Sequence, residues 1–168
     1  MEHHQEKKNL PPFHPVFEGC VVRDPCMANA VGESYLEELY AIVSYNYRTT
    51  IARGCNKPLA ELFDRIAKEE MRHFRLLGEL ILSLGGNPAV CTHLRIGVSD
   101  AIPMGRGSAG AAARMIADSL CEERRGIDRY QTLMGCTRDR VVRSVLAQIL
   151  DDEQRHVEAL LRAQKENC

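Results

Sequence analysis

The sequence predicts an all-α fold, a four-helix bundle of two antiparallel hairpins with a long crossover between the second and third helices. Three observations carry this. From about Val31 onward, apolar residues recur every three or four positions, which is the period of a helix and not of a strand. Two of the three connections are short, and the third is long and rich in Gly and Pro. The two halves of the chain also repeat the same polar residues inside their apolar stripes.

Residues 1–30 hold four prolines (Pro11, Pro12, Pro15 and Pro25) and no sustained period, so they read as an irregular N-terminal arm before a bundle over 31–168. The first helix is expected from about Val31 to Arg53, stopping at Gly54. The second begins near Pro58, a residue suited to a first helical turn, and ends at Gly85-Gly86 with Pro88 beyond. The third starts near Ser108, passes through the strong helix former AGAAARMIA and ends near Gly135. The fourth begins at Thr137, read as its N-cap, and continues almost to the C-terminus. The links GCNK (54–57) and GCT (135–137) force antiparallel neighbours. The link over 85–107 has enough residues to run the length of a helix of roughly 35 Å.

Composition narrows the function. In 168 residues the net charge is −1, with acids and bases interspersed, so no basic face invites nucleic acid. No apolar run approaches the roughly 20 residues that span a bilayer, and MEHHQEKKNLPPFHP has no signal-peptide core. Seven scattered cysteines without a CxxC suggest reduced thiols in a cytoplasmic protein.

The stripes contain the chemistry. The second helix steps through Leu59, Leu62, Ile66, Glu70, His73, Leu77, Leu80 and Leu84. The fourth steps through Val142, Val145, Ile149, Glu153, His156, Leu160 and Ala163. Both place Glu-x-x-His on one face. The first helix carries Glu38 in its stripe and the third carries Glu123, each followed seven residues later by a tyrosine, Tyr45 or Tyr130. Four buried carboxylates are strongly unfavourable without positive charge. Two divalent cations balance them, and two neutral imidazoles complete the ligand set. Oxygen-rich ligands with one His per metal suit iron or manganese.

With those residues assembled, the chain from about Val31 to Lys165 resembles the rubrerythrin-like branch of the ferritin-like superfamily, most clearly in AKEEMRHFRLLGELILSLGG and ILDDEQRHVEALL. The resemblance implies a ferritin-like bundle holding two iron ions, or alternatively two manganese ions. It implies that Glu38 and Glu123 each hold one metal, that Glu70 and Glu153 bridge both, and that His73 and His156 each cap one. Tyr45 and Tyr130 would hydrogen-bond to carboxylates and tune them. Two departures stand out. Rubrerythrins proper carry an iron–sulfur domain with paired CxxC motifs, absent here, so electrons would come from a separate donor protein. They often place a further Glu three residues after the third-helix ligand, where this chain has Gly126.

The expected function is therefore a dinuclear oxidoreductase reducing hydrogen peroxide or dioxygen. Manganese catalase-like disproportionation of peroxide is an alternative, as is non-enzymatic iron binding or storage, and a homodimer is the default assembly. A purely structural reading replaces the metals with a buried salt-bridge network using Arg72 and Arg155. Glu33, Glu37, Glu69, Glu122, Asp151 and Asp152 fall off the stripes and are expected on the solvated surface. Cys121 is expected to be a helix-packing residue. His14, Cys20 and Cys26 match no common zinc spacing, and Cys91 and His93 lie in the crossover without an assignable role.

Overall fold

The computed structural model describes residues 23–90 and 109–167, in four helices: α1 (Pro25–Ala52), α2 (Lys57–Ser83), α3 (Ala109–Cys136) and α4 (Arg140–Glu166). No strand occurs among the described residues, and the all-α bundle expected from the periodicity is the fold observed. The positions of His14, Cys20, Cys91 and His93, and the crossover from residue 91 onward, lie outside the described residues.

The helix ends follow local chemistry. α1 starts six residues earlier than the stripe suggested, so 25–30 belong to the bundle and not to an arm. Asp24 accepts a hydrogen bond from the Met27 amide, and Pro25 occupies the first turn, where its missing N–H is no loss. Asn56 caps α2 in the same way through Leu59. At the other end of α2, Gly85 adopts φ +83°, with its N–H on Leu82 O and the Gly86 N–H on Ile81 O. This is the two-bond left-handed cap that favours glycine. α4 is capped by Asp139, whose side chain accepts from the Val141 and Val142 amides. The expected cap, Thr137, instead accepts from the Asp139 amide.

Two apolar clusters fill the bundle. One joins Val31, the end of α2 (Leu77, Leu80), the end of α3 (Tyr130, Leu133) and the start of α4 (Val145, Ile149). The other joins Tyr45 and Ala52, the start of α2 (Phe63, Ile66), the start of α3 (Ile116, Leu120) and the end of α4 (Leu160). α2 and α3 are thus parallel, and the end of α2 lies at the opposite end of the bundle from the start of α3. Between the clusters sits a polar layer. Counting Pro25, Lys57, Ala109 and Arg140 as first residues, Glu38, Glu70 and Glu153 are the fourteenth of their helices and Glu123 the fifteenth. Each is roughly 20 Å from its helix start, at the bundle's midplane.

Candidate metal centre

All six residues picked out by the stripes converge in that layer. Glu38, Glu70, His73, Glu123, Glu153 and His156 are each no more than 5% exposed. Their ligand atoms form two compact groups, Glu38–Glu70–His73–Glu153 and Glu70–Glu123–Glu153–His156, each with its atoms within 4.8 Å of one another. Glu70 and Glu153 are common to both groups. The ring centroids of His73 and His156 are 5.9 Å apart.

Each imidazole points Nδ1 inward. Nδ1 of His73 lies 3.0 Å from Glu70 Oε2 and 3.2 Å from Glu153 Oε1. Nδ1 of His156 lies 3.1 Å from both Glu70 Oε1 and Glu123 Oε2. The outer nitrogens are held by residues that the stripes do not include. His73 Nε2 donates to Asp152 Oδ2 at 3.2 Å, and His156 Nε2 donates to Glu69 Oε2 at 2.9 Å. A carboxylate on the outer nitrogen fixes the ring and its inward-facing lone pair, the usual support of a metal-binding histidine.

Asp152 and Glu69 correct the expectation that both are solvated surface. Asp152 is 1% exposed and pairs with Arg72 and Arg155. Glu69 is half-exposed, and its hydrogen bond with His156 lowers its pKa. Their signal was in the sequence, because each immediately precedes a Glu-x-x-His. Glu122 forms a two-bond pair with Arg48 at 2.6 and 2.7 Å, and the Arg48 guanidinium sits 5.2 Å from the Tyr45 ring centre. Cys121 is exposed and does not pack between helices.

The two tyrosines cross between hairpins. Tyr45 on α1 donates to Glu123 Oε1 on α3, and Tyr130 on α3 donates to Glu38 Oε1 on α1. Both phenols have raised pKa values, through burial first and the adjacent carboxylates second.

The donor set fits a pair of cations. Glu70 Oε1 is buried, and although His156 Nδ1 lies 3.1 Å away, it receives no hydrogen bond of good geometry. Burial, followed by the charge of Glu70, pushes the Glu38 pKa up to about 8, and burial and Glu70 also push Glu153 well above the carboxylate range. Burial opposes charge on His73 and His156, but hydrogen bonds to the surrounding glutamates outweigh it and raise both pKa values. Arg72 and Arg155, which a salt-bridge network would need, pair with Asp152 behind His73 and with Asp151, and with none of the four central glutamates. Without metal the cluster must hold protons to offset its own repulsion.

A ferritin-like domain model matches residues 33–167. The chain is similar to the dodecameric thioferritin of Bacteroides fragilis, a bacterioferritin-related protein, at 19% identity over 86% of this chain and 88% of that one, with a TM-score of 0.71. It is similar to a mycobacterial bacterioferritin at 25% identity over 83% of both chains (TM-score 0.67). The bacterioferritin of Desulfovibrio desulfuricans, solved in different catalytic states of its diiron site, is 21% identical over 83% of this chain and 78% of that one (TM-score 0.67). Two of these neighbours are bacterioferritins and one is a bacterioferritin-related protein. A search of curated proteins found no match.

Proposed function

Because the chain belongs to the ferritin-like domain family, we propose that it binds two iron ions at the midplane cluster and oxidises iron, with dioxygen or peroxide as electron acceptor. The observation that carries this reading is the pair of four-residue groups sharing Glu70 and Glu153. Shared carboxylates hold two ions close together, and the likeness to bacterioferritins favours iron handling over peroxide reduction fed by a separate donor protein. Manganese remains the alternative occupant for the same ligand chemistry.

In this reading Glu38 and His73 would hold one ion and Glu123 and His156 the other, with Glu70 and Glu153, common to both groups, serving each. Two ferrous ions, taken as substrate, give up one electron each. Dioxygen accepting those two electrons with two protons leaves as hydrogen peroxide, and peroxide accepting them leaves as water. The chain supplies the geometry. Asp152 and Glu69 keep each Nδ1 directed inward. Tyr45 and Tyr130 occupy one oxygen of Glu123 and Glu38, leaving the other toward the adjacent histidine. The apolar clusters above and below shield the layer along the bundle axis and strengthen the charge interactions of its buried groups.

The test is metal analysis of chelator-free protein, followed by ferrous addition in air. About two iron ions per chain, with a ferric absorbance rise that Glu153→Ala abolishes, is the expected result. Full metal retention in Glu153→Ala would overturn the assignment. Two manganese ions, with oxygen released from peroxide without reductant, would favour the catalase-like alternative. Solution mass decides assembly, since iron storage needs a hollow shell and a homodimer does not provide one.

A further inference from the structure

The cluster is closed on one side and open on the other. Toward α2 and α4, Asp152 and Glu69 stand behind the two imidazoles. Toward α1 and α3, a cleft of about 390 Å³ descends from Tyr40 and Arg125 at the surface to Glu70 and Glu153 at its floor. Tyr40 is 61% exposed and Glu70 is 1% exposed, so the cleft connects solvent to the deepest carboxylates. Dioxygen or peroxide would fill only a small part of it, since a water molecule occupies roughly 30 Å³. The volume falls in the range of sites for organic ligands.

Gly126 lines this cleft in the middle of α3. Glycine is a poor helix former, and packing does not demand it here. A Cβ at this position would lie 3.5 Å from Glu153 Oε2, an ordinary contact. A methyl fits, whereas a longer side chain would begin its path against the floor carboxylate. What glycine provides is an unobstructed approach.

Charge selects the ligand. The acids near the mouth are already paired, Glu37 with Arg129 and Glu122 with Arg48. Two divalent ions offset the four carboxylates of the centre. Arg125 then remains, among the described lining residues, as the cation without an ion-pair partner, and with Arg48 counted beside Glu122 it is the one positive charge of the loaded cleft left unbalanced.

We propose that this cleft binds a small organic carboxylate, its anionic end on the Arg125 guanidinium and its body over Gly126 toward the centre. The proposal rests on the dinuclear reading and names the ligand class that the same centre receives from solvent. Arginine suits this role because its fork of N–H groups matches a carboxylate.

The test is calorimetric titration of benzoate into protein loaded with zinc, which is redox-inert and accepts the same ligand types. Metal analysis comes first. Failure to take up about two zinc ions per chain overturns the dinuclear reading and this proposal together. With zinc bound, the expected results are saturable benzoate binding, retention in Gly126→Ala, and loss in Gly126→Leu with zinc content unchanged. Arg125→Gln should weaken benzoate about tenfold, and uncharged benzamide should bind no better than to that variant. A loaded protein that ignores benzoate, or a Gly126→Leu protein that binds it equally well, overturns the proposal. Unchanged affinity in Arg125→Gln overturns the carboxylate assignment.

Discussion

Asp152 on α4 accepts a hydrogen bond from Nε2 of His73 on α2, and the contact runs from one hairpin to the other. Glu69 on α2 does the same for His156 on α4, so each Glu-x-x-His segment brings the acid that steadies the opposite histidine. The arrangement has an approximate twofold relationship, but the two acids are unequal. Asp152 is buried between two arginines, while the side chain of Glu69 is 44% exposed.

That inequality separates two variants. Asp152→Asn keeps the shape but removes the charge behind His73, and should weaken metal binding on the order of 10- to 100-fold. Glu69→Gln should weaken it less, because solvent can replace the lost partner. Chelator competition measures both. Equal losses in the two variants would contradict the asymmetry.

Asp152→Ala should also destabilise the chain. It leaves His73 without its outer acceptor and Arg72 and Arg155 without their buried counter-ion. Breaking a buried charge network this way costs about 3–5 kcal/mol. Urea unfolding of the metal-free protein reads the change.

Tyr45→Phe and Tyr130→Phe remove single hydroxyls from buried carboxylate partners. Each should cost about 1–3 kcal/mol while leaving every expected metal ligand in place. Denaturation should therefore shift although metal content does not. A phenylalanine variant lacking metal would give the tyrosine a larger role than orientation.

The metal-free protein should lose stability as pH rises from about 5 to 8. Glu38 has a folded pKa of about 8, against about 4.3 in an unfolded chain. Between these values the folded chain holds a proton that the unfolded chain has released, so raising the pH favours unfolding. The raised pKa values of His73 and His156 act in the same direction. Their contribution is complete below about pH 6.5 and is lost as pH climbs through the folded values. Glu70 is lowered, and its contribution disappears only in stronger acid. Metal displaces those protons, so the loaded protein should show the opposite trend. Melting temperatures across this range provide the check, and a rising profile without metal would contradict the charge assignments.

Gly126→Ala should raise stability by about 0.5–1 kcal/mol, because the added methyl meets Glu153 at ordinary contact distance. For a chain of this length that is a rise of roughly 1–4 °C in Tm. Calorimetry of the metal-free variant tests it.

The bundle and its six central residues were legible because helical periodicity converts spacing into facing. Glu70 and His73 interrupt a stripe whose other members are all buried, and the structure places them where the stripe does. The partners of the histidines were harder to read. Positions 69 and 152 fall off the stripe, yet an imidazole is long enough to carry its outer nitrogen to the neighbouring helix. Periodicity describes each helix alone and cannot register that reach. The start of α1 was missed for a different reason. Pro25 reads as one more irregular proline unless Asp24 before it is recognised as a cap. Cys121 was misplaced because cysteine's frequent burial is only a tendency, and its helical position turns it outward.

The crossed pairings also bear on the rates of assembly and release. Every contact between Tyr45 and Glu123, Tyr130 and Glu38, His73 and Asp152, or His156 and Glu69 joins one hairpin to the other. A hairpin can form from its own neighbouring residues, but none of these contacts exists until the two halves meet. A cation held among them therefore acts on the last stage of folding. It should leave the speed of hairpin formation almost unaltered and chiefly slow the parting of the halves, making the loaded protein long-lived rather than quick to fold.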